Sequence, residues 1–209
     1  MSRLIHTERI SGNAASFKGG RRYVHASDLI PALDVIARRL SGAPVLTRIE
    51  FHNPLTSWGI FHLETGLELP DSKAFSATGQ LTDSKGCSHP FVVFPSPFSI
   101  SDDARSFDEE SLWSNCDVDH DATRVTARLS TRLSLAESIS SMMKLLCRTA
   151  LPQQERWWFV RMSKSTPLPD GVEWLSLRRQ RIVADRLVYA DISGPTGNIC
   201  RVEFMGSAK

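Results

Sequence analysis

Two stretches of this 209-residue chain bring together residue types suited to moving protons. Tyr23-Val24-His25-Ala26-Ser27-Asp28 leads directly into a helical pattern, and His120 lies seventeen positions before Glu137, which opens a second one. A His titrates near neutral pH and can act as a general base. A carboxyl group in an apolar setting keeps its proton more readily and can donate it. Both Asp28 and Glu137 fall in first helical turns. There an acid also favours the helix dipole with no catalysis at all. Each residue therefore carries two readings: catalytic acid or helix-start acid for Asp28 and Glu137, catalytic base or loop residue for His25.

The elements that must position these groups follow from hydrophobic periodicity. Segment 27–41 places Ile30, Leu33, Ile36, Ala37 and Leu40 on one helical face. Ser27 is the expected N-cap and Pro31 falls in the first turn or so, where its missing N–H matters least. Gly42 and Pro44 stop the helix. Segment 136–150 repeats the pattern with Ile139, Met142, Leu145, Leu146 and Thr149, at an offset of about 109 residues that sets Asp28 opposite Glu137. Period-two alternation after each helix predicts strands: Ile49 and Phe51 after the first, Trp158, Val160 and Met162 after the second. Further strands are expected at 74–82, 90–95, 123–130, 186–193 and 199–205, with Gly86 and Gly197 supplying turns. The fold class is α+β. The expected division is a unit over 1–95, an acidic linker over 96–122 and a second unit over 123–209.

Composition narrows the function classes. The chain is 41% hydrophobic and 23% charged, as ordinary globular proteins are. No apolar run approaches the roughly eighteen residues of a membrane span, and the N-terminal stretch lacks the order of a signal peptide. The four Cys are far apart and form no CxxC pair, which points to a reducing cytoplasm. A net charge of +2 is too weak to argue for nucleic acid. Six His without HxH, HExxH or a nearby Cys give no metal site, and no P-loop or GxGxxG implies a cofactor. His52, His62 and His89 read as strand or turn residues, and Cys147 as core. Arg178-Arg179-Gln180-Arg181 reads first as charge protecting a strand edge. Its second reading, with Arg38-Arg39, is a basic rim that would steer an acidic partner.

One long helix followed by antiparallel strands, twice over, resembles the hotdog fold, in the double form of tandem polyketide dehydratase domains. The likeness spans nearly the whole chain at the level of element order. The beta-hydroxyacyl carrier-protein dehydratases carry an acid in a helix reading roughly Glu-Ala-x-x-Gln, and the tandem domains place an Asp there. The matching stretch is Ala136-Glu137-Ser138-Ile139-Ser140-Ser141, with Ser141 at the Gln position. The Gly and Pro residues that frame the family's His are absent around His120. The resemblance implies dehydration of a 3-hydroxyacyl group on acyl carrier protein or coenzyme A, at a site between two hotdog units. Glu137 would be the acid, with His25 or His120 as base and Asp28 as the competing carboxylate. A thioesterase or a non-catalytic acyl-binding module are the alternatives. A monomer already holds two units, and a homodimer is the other expected state.

Overall fold

The computed structural model describes residues 5–10, 16–18, 23–64, 74–105, 109–129 and 133–207. The chain divides into two compact units, Met1–Phe107 and Asp108–Lys209. Each is α+β.

The first unit holds strands β1 (Ile5–Arg9), β2 (Ser16–Lys18), β3 (Val45–Phe51), β4 (Ser57–Glu64), β5 (Ala77–Thr82), β6 (Ser88–Ser99) and β7 (Ser101–Arg105), and the helix α1 (Ala26–Arg39). Five strands run antiparallel in the order β1-β4-β6-β5-β3. β2 and β7 form a separate parallel pair. The apolar face of α1 buries Leu29, Ile30, Leu33, Ile36 and Ala37, and the helix packs against β3. Phe61 and Phe91 meet in the core with ring centroids 5.2 Å apart. Each such side chain removed from water contributes about 1.5–3 kcal/mol. Gly79 sits under Phe91 for a steric reason. A Cβ there would lie 2.4 Å from the Phe91 ring and 2.3 Å from the Arg48 carbonyl oxygen.

The second unit holds the short helix α2 (Glu109–Trp113), strands β8 (Cys116–Val118) and β9 (Arg124–Arg128), the long helix α3 (Leu135–Ala150), and strands β10 (Arg156–Ser163), β11 (Trp174–Val183), β12 (Leu187–Gly194) and β13 (Gly197–Ser207). The strands run antiparallel in the order β10-β13-β12-β11-β9-β8. α3 lies against β9 to β13. Its Ile139, Met142, Met143 and Leu146 are buried, as are Leu175, Leu177, Val188, Ile192, Val202 and Phe204 of the sheet. α2 is tied to α3 three ways. The Trp113 indole N–H donates to the Ser141 carbonyl at 3.0 Å, Lys144 pairs with Glu109, and the Arg148 guanidinium lies 5.1 Å from the Trp113 ring.

Four expectations need correction. The acidic stretch 96–122 is not a bare linker: it carries the end of β6, then β7, α2 and β8. Ser27 is not the N-cap of α1. His25 holds that position, and Ser27 is buried one residue into the helix. Pro31 consequently falls in the second turn rather than the first, where its ring removes the bond to the Ser27 carbonyl. Finally, Arg178 sits on the part of β11 paired with both β9 and β12, so it protects no edge.

Candidate active site

The start of α1 is fixed by the strand-like residues before it. Val24 bridges Leu55, its N–H donating to the Leu55 carbonyl at 2.8 Å. This holds the chain extended through His25, whose φ of −76° and ψ of 147° are those of an N-cap. The His25 carbonyl accepts the N–H groups of Asp28 and Leu29, both at 3.0 Å. The His25 ring makes no capping bond of its own. It stacks on Tyr23 with centroids 5.2 Å apart and planes 14° from parallel. His25 is 6% exposed and Asp28, three residues on, 5%. A buried imidazole and a buried carboxyl group therefore share the entrance of one helix.

The start of α3 is a capping box. Ser134 has cap geometry, and its hydroxyl accepts the Glu137 N–H at 3.2 Å. The Glu137 carboxylate in return accepts the Ser134 N–H through Oε2 at 2.7 Å. Two helix-end donors are thereby satisfied reciprocally. Glu137 is 6% exposed. Burial of a carboxyl group needs such partners, and the box supplies one. Ser138 and Ser141 continue the same helix as buried residues, and neither hydroxyl has a hydrogen-bond partner among the described residues.

The helix register expected from sequence holds to the residue. Asp28 and Glu137 each occupy the third helical position after an N-cap, and both are buried. His120 is placed otherwise. It stands in a turn with its side chain at 102% exposure, beside Asp121 at 3.1 Å. The turn is closed by Asp119, whose Oδ1 accepts the N–H groups of Thr123 and Arg124 at 2.6 and 2.9 Å. The other four histidines have partners: His6 with Glu8 at 3.1 Å, His52 with the Thr78 hydroxyl at 2.8 Å, His62 with the Thr7 hydroxyl at 2.8 Å, and His89 with Asp83 at 3.3 Å.

Sequence reading passed over the Tyr23 stack and the buried serines. An aromatic two residues before His25 was the available signal for the first. Ser138 and Ser141, three apart on a helix, place hydroxyls on one face, which was the signal for the second. Three of the four thiols are poor nucleophiles. Burial pushes Cys116 up to about 11, Cys200 up to about 12 and Cys147 well above the ordinary thiol value. No group of three or more His, Cys, Asp and Glu among the described residues could hold a metal ion. No helix there is long and apolar enough to cross a membrane.

No protein-family model matches the chain, and no curated protein does. Solved structures do. A fusion DH domain matches with a TM-score of 0.51 at 11% identity, over 99% of this chain and 89% of that one. The dehydratase domain of a mycocerosic acid synthase-like PKS matches with a TM-score of 0.51 at 8% identity, over 99% and 91%. The dehydratase domain of PpsC from Mycobacterium tuberculosis, solved in complex with C12:1-CoA, matches with a TM-score of 0.50 at 11% identity, over 98% and 94%. The chain has the hotdog fold of these dehydratase domains.

Proposed function

We propose that the chain is an acyl-thioester enzyme, a double hotdog that dehydrates a 3-hydroxyacyl group carried on a carrier protein or coenzyme A. One observation carries the reading. On a fold shared with three dehydratase domains, a His and a Glu stand buried at the starts of the two long helices. The His25 imidazole takes the proton alpha to the thioester carbonyl. The electron pair left on that carbon forms the new double bond as the beta carbon–oxygen bond breaks. The Glu137 carboxyl group protonates the departing oxygen, which leaves as water. Oε2 of Glu137 also accepts the Ser134 N–H, which holds the carboxyl group at the helix start. Asp28 is the second carboxyl group of the proposal, one turn from His25. His120, fully exposed, is left out of it.

The test is intact-mass monitoring of a 3-hydroxyacyl carrier-protein thioester with wild type, His25→Ala and Glu137→Gln. Gln keeps the capping box, so that variant isolates the proton. Loss of one water with wild type, slowed by about 10²–10⁴-fold in either variant, is expected. Release of free carrier protein would instead make the chain a thioesterase. Retention without a mass change would make it an acyl-binding module. No reaction and no retention would sink the thioester reading.

A further inference from the structure

The sheet of the second unit covers α3 with one face and turns the other outward. On β12 the outward residues Leu187, Tyr189, Asp191 and Ser193 alternate with buried ones. Strand register extends that face. Asp191 lies opposite Arg178 and Tyr189 opposite Arg181 on β11. Arg178 lies opposite Arg124, and Trp174 opposite Arg128 on β9. All four arginines are exposed, and Trp174 is 40% exposed.

Charge on this face is unevenly matched. Arg201 is paired with Asp191 at 2.7 Å, and Arg161 with Glu203 at 3.0 Å. No ion pair involves Arg124, Arg128, Arg178 or Arg181 among the described residues. Arg124 and Arg178 are like charges directly opposite on neighbouring strands, which destabilises a sheet. Arg124 and Arg178 are not needed for edge protection, since Arg178 is paired with both β9 and β12 and the Arg124 carbonyl, on the other side of β9, accepts the Asp119 N–H. Two of the four are also held in place. The Arg124 Nε donates to the Ser176 hydroxyl at 2.9 Å, and the Arg181 guanidinium lies 4.1 Å over the Tyr189 ring. A guanidinium fixed in advance loses less freedom on meeting a carboxylate.

We propose that this arginine face of β9 and β11 docks an acidic protein surface, and, building on the proposed thioester chemistry, that the surface belongs to the carrier protein. Arg124 and Arg128 are four residues apart on one strand, a span of about 13 Å, with Arg178 and Arg181 alongside. That spread matches carboxylates along a helix face rather than one nucleotide phosphate. The chain's net charge of only +2 sets the patch against the general basic character of a nucleic-acid binder.

Fluorescently labelled acyl carrier protein, unacylated but with its pantetheine arm, tests the surface directly. Its affinity for the whole chain is expected to fall tenfold or more in Arg124→Glu/Arg178→Glu, and to fall with added salt in wild type. The neutral pair Arg124→Gln/Arg178→Gln should weaken binding too while melting close to wild type, because relief of the repulsion offsets loss of the Arg124–Ser176 bond. Turnover of the small substrate 3-hydroxyacyl pantetheine should be unchanged in both variants. Equal carrier affinity in wild type and both variants would overturn the docking face. A single-stranded oligonucleotide bound by wild type and lost in the variants, without carrier binding, would reassign it to nucleic acid. Loss of turnover on the coenzyme A thioester alone would reassign it to that cofactor's phosphates. If wild type turns over no thioester, the proposed activity fails, yet the binding arm still decides the surface.

Discussion

His25 and Ser134 occupy the same N-cap position of the two long helices, and only Ser134 spends its side chain on the cap. Three residues later each helix carries a buried acid, Asp28 in one and Glu137 in the other. A Ser at an N-cap is worth about 1 kcal/mol to its helix. His at that position forgoes this, and its ring stacks on Tyr23 instead. A residue that departs from the local stability optimum in a buried place is a candidate for function.

That departure gives a first prediction. His25→Ser restores a capping hydroxyl but removes the ring stack, so the two changes offset to within about 1 kcal/mol. Turnover should fall by about 10²–10⁴-fold. Urea midpoints and thioester turnover, measured on the same preparations, read the two effects separately. A variant unfolded at much lower urea yet fully active would assign His25 to the fold alone. His25→Ser/Glu137→Gln should be no slower than the worse single variant, as for residues acting as a unit.

Glu137 carries both a structural bond and the proposed proton, and two substitutions separate them. Glu137→Gln preserves the side-chain acceptor for the Ser134 N–H and should leave stability within about 0.5 kcal/mol of wild type. Glu137→Ala removes that acceptor and should cost about 0.5–2 kcal/mol. Both should lose turnover alike. Activity that tracks stability, with Gln active and Ala not, would leave Glu137 as a capping residue only.

Much of the fold was legible because burial imposes periods of 3.6 and 2 on the chain. α1 begins two residues before, and α3 one residue before, the start read from Ile30-Leu33-Ile36 and Ile139-Met142-Leu146. The acidic stretch was not legible, because its order comes from distant partners. α2 buries only Leu112, and its hold on α3 depends on Glu109 finding Lys144 and Trp113 finding Ser141. The cap of α1 was misread for a similar reason. Ser27 has the better local chemistry, but the Val24–Leu55 bridge, made across the unit, sets where extended chain ends. Of the site residues, Glu137 was marked by its place in the first turn of a helical pattern, whereas seventeen residues of separation say nothing of the Asp119 turn that exposes His120.

Gly79 offers a test of the first unit's packing. Gly79→Ala would set a methyl 2.3 Å from the Arg48 carbonyl oxygen and 2.4 Å from the Phe91 ring. One contact is backbone in a paired strand and the other a fully buried ring, so neither can give way cheaply. Overpacking of this kind costs about 1–3 kcal/mol. Gly86→Ala meets nothing within 4 Å but is strained by a φ of +80°, so it should also destabilise, by backbone alone. Adding Phe91→Leu to each variant should recover part of the Gly79 loss and none of the Gly86 loss. Equal recovery in both would show that the Phe91 ring is not the obstacle.

Two turn carboxylates, half-buried Asp83 and exposed Asp119, set an acid-side pH dependence. Asp83 is held below its ordinary value of 3.8 first by the Cys87 N–H, then by His89 and the Lys85 N–H. Asp119 is held below the same value first by the Thr123 hydroxyl, then by the Arg124 N–H. A depressed folded-state pKa means that the unfolded chain binds its proton first as pH falls. The stabilisation is therefore complete above the ordinary carboxylate value and is lost as pH falls below it, through the folded-state value. Asp83→Asn/Asp119→Asn should lower the urea midpoint at pH 7 and flatten its decline between about pH 5 and pH 2. The carboxamide oxygens can still accept the turn N–H groups, so the turns themselves should survive and the change should lie in the slope. A double variant whose midpoint declines as steeply as wild type over that window would show that the acid sensitivity comes from other groups.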